Sequence, residues 1–497
     1  MKALLMYKDK DFDINKKLPF YSEELIKDLN LNVLFYSMSM GDEFLLEVSK
    51  KALLLSINDL DTIIYRQNIL KDCINNSSIV RNLYNIACEA ITNKRKYYFG
   101  FFTRYPAAIL DSSIDVLEMF VEMLKKIKKI SEDNSYNFKS EGFKNFFKMI
   151  DRELDNEYFM KVESCLKELR LNEGALISME LGKGNKGINY MLCKPQNEKK
   201  SFIEKIFYNR TTSFTFYIDD RDESGARMLS EIRDRGINEV ANIIAKSAEH
   251  ILSFFTMLKT ELAFYISCLN LYNKLLELGV KTTFPVPLKS STRKHSFTGL
   301  YDVCLALEIG NVVGNDLNSE NKDLYIITGA NQGGKSTYLR SIGISQIMMQ
   351  CGMFVGAEYY SANICEGIFT HYKREEDNSM RSGKLDEELK RMSDIIDNIK
   401  PNSIILFNES FSATNEREGS QIAKDIVMAL LEKNIKVFFV THFFELAYGF
   451  YEKKLKNAVF LRAERQNDGK RTFKIIEAQP LQTSFGEDLY KKIFENQ

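Results

Sequence analysis

The chain has 497 residues, and its 68 Lys and Arg residues balance its 68 Asp and Glu residues, so the formal net charge is zero. Hydrophobic residues make up 44% and charged residues 27%, while Pro is scarce at 7 and Gly modest at 25. This composition excludes a disordered or fibrous chain, and the charge balance excludes a uniformly basic nucleic-acid-binding surface. At about 150 residues per domain, the length predicts roughly three domains.

The cysteine pattern and the apolar runs indicate a cellular compartment. Eight cysteines are scattered without a C-x-x-C pair, and none of the four histidines lies beside a cysteine pair. Reduced thiols in an intracellular protein are therefore predicted, rather than disulfides or a zinc site. The apolar run at the N-terminus is too short for a signal peptide, and no apolar stretch reaches 18 residues. We expect a cytoplasmic protein that does not enter a membrane.

Residues 1–284 are predicted to be mainly α-helical. Apolar residues recur every three or four positions from Tyr36 to Leu55 and from Leu60 to Ala90, and Asn58 or Asp59 is the expected cap of the second stretch. A later stripe comprises Val116, Leu117, Phe120, Val121 and Leu124. From Ser224 to Leu278 a long helical pattern becomes apolar nearly all round, which predicts burial on most sides. We divide this part into a helical core region (1–110) and arm helices (111–284).

A small basic insertion, expected to contain β-structure, interrupts the arm near residues 182–220. Residues 181–210 carry seven Lys or Arg against two Glu, and the following TTSFTFYIDDRD alternates like a strand and then turns. Such a local positive charge supplies contacts to DNA phosphates, although it is equally typical of a solvated loop. The candidate DNA-binding residues are Lys194, Lys199 and Lys200.

After Pro285 and Pro287 the pattern changes to short apolar strands that alternate with helices. The predicted strands are Leu324–Thr328, Ser403–Phe407, Lys436–Val440 and Ala458–Ala463, and helical stretches lie near 335–350, 384–399 and 415–433. A hairpin around Asp468-Gly469 closes the series. This alternation predicts an α/β domain with a mainly parallel sheet over residues 285–497.

The segment ITGANQGGKSTYLRSIG fits the phosphate-loop pattern G-x-x-x-x-G-K-[ST] between a predicted strand and a predicted helix. Glycines let the loop turn so that its N–H groups face phosphate, and the helix N-terminus adds positive potential. Lys335 supplies a charge for the β- and γ-phosphates, and Ser336 an oxygen for Mg²⁺. The predicted nucleotide-binding residues are Gly329, Ala330, Asn331, Gln332, Gly333, Gly334, Lys335, Ser336 and Thr337.

Two further strands end in polar residues. The strand predicted in NSIILFNES ends at Asn408-Glu409. At this position a phosphate-loop ATPase needs a carboxylate for Mg²⁺ and often a Glu that polarises the attacking water. Glu409 fits the second role, whereas Asn408 is neutral where Asp is expected. The strand predicted in KVFFVTHFFEL ends at Thr441-His442. At a strand end, His442 is placed to reach the γ-phosphate or the attacking water.

In order along the chain, these motifs resemble the ATPase domain of the MutS-type DNA mismatch-repair family, a branch of the ABC ATPases. VVGNDL with Asn315 and Asp316, FNESFSATNEREGSQIA, THFFEL and the closing TSFGEDLY with Ser484, Phe485 and Gly486 are similar to family segments. Residues 36–280, including Arg66 and Gln67, resemble more weakly its core and lever helices. The resemblance implies a helical core and lever followed by an α/β phosphate-loop ATPase domain.

The resemblance also implies particular roles and ligands. ATP and Mg²⁺ are the expected cofactors, with Glu409, His442 and Lys335 catalytic and with Ser336 and Asn408 at the metal. Residues of a trans or dimer interface are Ser382 and Gly383 of the ABC-like signature and Thr414, Asn415, Glu416 and Gly419 of the D-loop. Leu385–Glu388 departs from the family form. The expected partners are DNA, double-stranded or branched, and a second copy of the chain.

Two hypotheses for function remain open. The first is a nucleotide-switched DNA clamp in repair or recombination; we see no room for the family's mismatch-reading domain and no Smr-type nuclease tail, as in a short MutS-like protein. The second is a slow-ATPase scaffold switched by nucleotide, acting on a protein or ribosomal partner, which the neutral Asn408 and the missing domain favour. A transporter ATPase is disfavoured because LSGGQ is missing.

Overall fold

The computed structural model describes residues 1–97, 105–172, 174–194, 214–374, 383–466 and 471–482. The chain forms two compact units that are built from separated segments. The first comprises Met1–Ala3, Arg81–Tyr136 and Asn145–Lys259, and the second comprises Leu4–Val80, Asn137–Lys144 and Thr260–Gln497. The division at residues 110 and 284 stays a prediction.

Helices dominate the N-terminal part of the described chain. They are α1 (Ser22–Asp28), α2 (Leu31–Ser39), α3 (Glu43–Leu54), α4 (Leu60–Asn75), α5 (Ser77–Tyr97), α6 (Pro106–Asn134), α7 (Glu141–Glu153), α8 (Asn156–Leu169) and α9 (Glu223–Glu277). Between α8 and α9 lie strands β1 (Leu176–Leu181) and β2 (Gly187–Cys193).

Strands and helices alternate in the C-terminal part. They are β3 (Val286–Leu288), β4 (His295–Leu300), α10 (Val303–Ile309), β5 (Asn315–Leu317), β6 (Leu324–Thr328), α11 (Lys335–Gln350), β7 (Tyr359–Asn363), β8 (Ile368–Tyr372), α12 (Lys384–Asn398), β9 (Ile404–Asn408), α13 (Glu416–Glu432), β10 (Lys436–Val440), α14 (Phe444–Glu452), β11 (Ala458–Arg465) and β12 (Arg471–Glu477). A helical region followed by an α/β region confirms the predicted fold class at this level.

Two predicted helical stretches are each divided. The stretch from Tyr36 to Leu55 breaks between α2 and α3, because Met40 and Gly41 adopt left-handed φ angles of 50° and 86°. The stretch from Leu60 to Ala90 breaks at Asn76, between α4 and α5. Asp59 is the cap of α4, since its side chain accepts the backbone N–H of Thr62 at 2.8 Å.

In the first unit, the predicted stripe of α6 is buried, and Phe120 packs against Phe255 with ring centroids 5.5 Å apart. Strands β1 and β2 form a two-stranded antiparallel sheet, and β2 lies within the range predicted for the basic insertion. A Cβ at Gly236 of α9 would lie 2.7 Å from the Ile177 side chain, so glycine permits this close packing. The strand predicted at the start of TTSFTFYIDDRD is wrong for residues 214–219, whereas the turn predicted after it is present at residues 220–221. Residues 211–213 lie outside the described residues.

Helix α9 corrects one expectation about membranes. By length and composition this helix contains a window apolar enough to cross a membrane, and it is the one such helix among the described residues. However, 67% of that window is buried inside the protein, as in the core helix of a soluble protein. This burial agrees with the predicted all-round apolar pattern.

The second unit contains the α/β part. Its six-stranded sheet has the order β12-β11-β6-β10-β9-β8, parallel throughout except for the antiparallel β12. A second sheet has the order β3-β7-β4-β5. Strands β6 and β10 are buried along their whole length, as expected for a parallel sheet covered on both faces. The predicted hairpin is confirmed by the pairing of β11 with β12, whereas its turn lies outside the described residues.

The core of this sheet lies between its strands and helices α12, α13 and α14. Phe407 and Phe439 stack with ring centroids 4.9 Å apart, and Met392, Val427 and Phe450 pack in the same cluster. Each such buried side chain contributes about 1.5–3 kcal/mol. The packing fixes β6, β9 and β10 side by side, so their carboxyl ends meet at one edge of the sheet, where ligands bind in open α/β sheets.

Candidate nucleotide site

Residues 329–334 join β6 to α11 in a tight loop. Gly329, Gln332 and Gly334 have left-handed φ angles of 112°, 55° and 90°. A Cβ at Gly333 would lie 2.8 Å from the Ala463 Cβ and 2.9 Å from the Ala330 carbonyl oxygen. The loop therefore needs glycine where the sequence places it, and it leads directly into the N-terminus of a 16-residue helix. This arrangement suits an anion.

Lys335, the first residue of α11, is folded back over this loop. Its Nζ donates to the carbonyl oxygens of Gly329 at 2.9 Å and Ala330 at 3.0 Å. Only 5% of the residue is exposed, and burial lowers its pKa to about 8. The ammonium is thereby held within the loop that the sequence identifies as the phosphate cradle.

Ser336 and Asn408 meet across the edge of the sheet. The Ser336 hydroxyl donates to Asn408 Oδ1 at 3.0 Å, although 72 residues separate them in sequence. Hydroxyl and amide oxygens are hard donors of the kind Mg²⁺ accepts, usually with several waters retained. The two residues predicted at the metal thus lie together, and their donor atoms fit a hard cation.

Glu409 and His442 form the second pair at this edge. His442 Nε2 donates to Glu409 Oε1 at 2.6 Å, and the Glu409 backbone N–H donates to the Val440 carbonyl oxygen at 2.9 Å. The hydrogen bond from His442 is the largest cause that lowers the pKa of Glu409, and the charges of His442, Lys335 and Lys373 act in the same direction. Glu409 is therefore ionised at neutral pH and accepts protons or hydrogen bonds.

A cavity of about 510 Å³ opens beside the loop and is lined by Lys335, Ser336 and Glu409. The lining also contains an apolar group, Tyr301, Leu305, Ile309, Val312, Val313 and Phe473, of which only Val312 and Val313 belong to a segment that the sequence analysis singled out. Asn315 connects this lining to β12, since its Oδ1 accepts the Ile475 N–H at 2.7 Å. A flat apolar group attached to phosphates fits a cavity lined by both polar and apolar residues. Phe473 and Lys335 line the same cavity although 138 positions separate them in the sequence. A motif based on local spacing therefore could not predict Phe473 as part of the site.

Of the residues predicted for a dimer interface, those that the structure describes lie at the starts of two helices, α12 and α13. Thr414 Oγ1 donates to Glu418 at 2.6 Å, Asn415 caps α13, and Glu416 Oε1 accepts the Phe444 N–H at 2.8 Å, all at the exposed start of α13. Gly419 is buried, and a Cβ there would lie 2.7 Å from the Phe411 carbonyl oxygen. Gly383 is the exposed N-cap of α12.

Several predicted residues are not brought to this site or lie outside the described residues. Four of these predictions lie outside the described residues: Ser382, Lys199, Lys200 and Ser484–Gly486. Lys194 is in the first unit, is 76% exposed in its side chain, and forms an ion pair with Glu168 at 3.0 Å. Asp316 accepts the Gly299 N–H at 2.7 Å. All eight cysteines are described, and all are free thiols.

Comparison with known proteins gives two matches to family models, one in each half of the chain. Residues 58–278 match the MutS2 N-terminal domain, and residues 325–494 match MutS domain V. The chain belongs to the MutS family. The second match contains the glycine-rich loop, Asn408-Glu409 and His442, and the first confirms the weaker resemblance of the helical region.

Curated relatives match the MutS-family chain over shorter segments. Human "MutS protein homolog 4" is 37% identical over 137 residues, or 28% of this chain and 15% of that protein. "DNA mismatch repair protein MutS" of Clostridium botulinum (strain Alaska E43 / Type E3) is 34% identical over 170 residues, 31% of this chain and 18% of the relative. The protein of the same name from Leuconostoc citreum (strain KM20) is 30% identical over 203 residues, which are 40% of this chain and 23% of that relative. The matches thus cover less than a quarter of these relatives.

Proposed function

We infer that this MutS-family chain binds ATP with Mg²⁺, hydrolyses it slowly, and uses the nucleotide state to clamp DNA in repair or recombination. The observation that carries this proposal is that Lys335, Ser336 and Glu409 line one cavity, while Asn408 is hydrogen-bonded to Ser336 and His442 to Glu409. Each pair joins residues from different elements, so their meeting does not follow from local sequence.

The roles follow from the chemistry of each group. The loop N–H groups and the Lys335 ammonium bind the phosphates, while the apolar lining with Phe473 packs against the base. The Glu409 carboxylate orients an attacking water and accepts its proton, and His442 holds that carboxylate in place. Ser336 and Asn408 would hold Mg²⁺, which would supply positive charge to the phosphate oxygens.

Nucleotide affinity should depend on pH through Lys335. Its pKa of about 8 means that the protonated fraction falls about tenfold between pH 7 and pH 9. Because only the ammonium attracts phosphate, we expect the affinity for a non-hydrolysable ATP analogue to fall by up to about tenfold over this range. Calorimetric titration at each pH measures it, and Lys335→Arg, which keeps its charge, is the control. Equal pH dependence in both proteins would contradict the assignment.

Asn408 should make turnover demand more Mg²⁺. An amide oxygen carries no charge, so it accepts a hydrogen bond from a metal-bound water less strongly than a carboxylate. We expect Asn408→Asp to lower the Mg²⁺ concentration for half-maximal turnover and to leave nucleotide binding intact. Steady-state ATPase rates across a Mg²⁺ titration test this. Superimposable curves for the parent and the variant would show that the missing charge has no effect.

DNA binding is proposed to involve the basic insertion. Replacing Lys194, Lys199 and Lys200 by Ala should weaken binding to all sequences alike and should reduce the salt slope by about 0.9 for each phosphate that is no longer neutralised. Fluorescence anisotropy at several salt concentrations measures that slope. The matched control replaces the exposed Lys433, Lys453 and Lys454 of the second unit. An unchanged slope in the first variant would place the DNA surface elsewhere.

The neutral Asn408 also favours a second candidate, a scaffold that is switched by nucleotide and binds a protein or ribosomal partner. A competition gel with mismatched, branched and plain duplex DNA, with and without ATP, separates the two. ATP-dependent retention of any of these DNAs supports the clamp, and no binding at low salt supports the scaffold. In either case we propose a homodimer, with Gly383 and the start of α13 at its interface.

A further inference from the structure

The turn that presents Glu409 has an unfavourable backbone conformation. Glu409 and Phe411 both have left-handed φ angles, 55° and 63°, which residues with a side chain adopt rarely. Such a conformation persists only where the surrounding structure fixes it. Ser410, between them, is 1% exposed, so the groups that fix the turn are protein groups packed around this residue.

His371, in β8, is the first of these groups. It pairs in register with Phe407 of β9 and is fully buried. Its Nδ1 lies 2.8 Å from Ser410 Oγ, and its Nε2 lies 3.0 Å from the backbone carbonyl oxygen of Glu388 in α12. The Ser410 hydroxyl also contacts the His371 carbonyl oxygen. One imidazole ring therefore joins the Glu409 turn to helix α12.

The protonation of this ring follows from its partners. A carbonyl oxygen only accepts hydrogen bonds, so Nε2 of the neutral ring carries the proton and donates it to the Glu388 carbonyl oxygen. The single proton of the Ser410 hydroxyl is then shared between the His371 carbonyl oxygen and Nδ1. Burial and the nearby Arg391 charge lower the pKa of His371 to about 4, so the ring is neutral at pH 7. Both ring nitrogens are then satisfied without a buried charge.

Glu388 makes a second link between α12 and the same turn. It is 6% exposed, and its carboxylate accepts the backbone N–H of Phe411. The Phe411 ring stacks on the His371 ring, with centroids 5.2 Å apart and planes 20° apart. Helix α12 is thus bonded to Ser410 through His371 and to Phe411 directly, immediately after the proposed catalytic carboxylate.

We propose that His371 is a positioning residue that couples helix α12 to the Glu409 turn, so that the rate of hydrolysis depends on where α12 lies. A displacement of α12 pulls on Ser410 and Phe411 and moves the Glu409 carboxylate relative to His442. Misplacement of a catalytic group by about 1 Å costs up to about 100-fold in rate. The coupling rests on the proposed role of Glu409 in ATP hydrolysis.

Three substitutions at one position test the coupling. His371→Leu fills the ring volume but removes both hydrogen bonds, whereas His371→Asn keeps an acceptor near Ser410 and His371→Gln keeps a donor toward Glu388. We expect His371→Leu to lower kcat about 10- to 100-fold and the two amides to lower it less. ATP-analogue affinity should stay within about twofold in all three, because His371 does not line the cavity. If His371 served only to fill space in the core, His371→Leu would have the same kcat as the parent.

Hydrogen exchange supplies a readout that does not require turnover. Amide exchange in a peptide spanning residues 404–412 should be faster in His371→Leu than in the parent, and intermediate in His371→Asn. Unchanged exchange, or a kcat within about twofold of the parent in His371→Leu, overturns the coupling alone. Adding His371→Leu to Glu409→Gln should cause no further loss of kcat. If Glu409→Gln itself turns over like the parent, the proposed function fails, and with it the coupling.

Discussion

Glu409→Gln should reduce ATP turnover by about 100- to 10,000-fold, the usual range for loss of a general base. The amide keeps the size of the side chain but has no charge, so it cannot accept a proton from the attacking water. The hydrogen bond from His442, now 2.6 Å to a carboxylate oxygen, also weakens because its acceptor becomes neutral. Steady-state phosphate release and binding of a fluorescent ATP analogue measure the two effects separately.

Binding and stability should change little in this variant. Glu409 lies at the cavity wall beside Lys335, so removing its negative charge reduces repulsion toward phosphates and leaves binding equal or tighter. Glu432→Gln, an exposed carboxylate at the end of α13, is the matched control and should behave as the parent does. Normal turnover in Glu409→Gln would remove the carboxylate from the mechanism.

Lys335→Ala should weaken ATP binding by about 10- to 100-fold. The parent's ammonium is already held in the loop by the carbonyl oxygens of Gly329 and Ala330, so it is positioned before phosphate arrives. Hydrogen bonds that involve a charged group contribute about 1.5–3 kcal/mol, which corresponds to this range of affinity. Titration with a fluorescent ATP analogue measures the loss.

Its control is Lys433→Ala, which removes an exposed lysine beyond the end of α13. Thermal unfolding of both variants shows whether any loss of binding comes from unfolding. Removing a buried cation that lies among carbonyl oxygens should leave the fold intact, since burial lowers its pKa and therefore disfavours its charged form. Unchanged affinity in Lys335→Ala would overturn the phosphate-loop assignment.

The sequence by itself determined the α/β part of this protein closely. Predicted strands Leu324–Thr328 and Lys436–Val440 have the observed bounds, because each is a short apolar run between polar turns, buried on both faces. The glycine-rich loop was equally clear, since φ angles of 112° at Gly329 and 90° at Gly334 and the close approach at Gly333 require the residue type that makes the motif visible. A backbone conformation that only glycine adopts easily can be predicted from the few consecutive residues that form it.

Helix ends and unpaired strands were less predictable. The break at Met40-Gly41 lies inside a continuous apolar period, and periodicity reports which face is buried, not where the chain turns. The alternating residues before α9 do not form a strand in the described part, because alternation alone supplies no neighbouring strand to bond with.

Only the tertiary structure decided which distant residues act together. Parallel register between β9 and β10 places Asn408 opposite Val440, and this brings Glu409 within hydrogen-bond distance of His442 across 33 positions of sequence. The apolar lining with Phe473 and the contact of His371 with Ser410 arise in the same way, from packing of strands and helices that no local spacing reports. A sequence records what each residue requires of its own backbone, whereas the partners of a side chain depend on how the whole sheet is assembled.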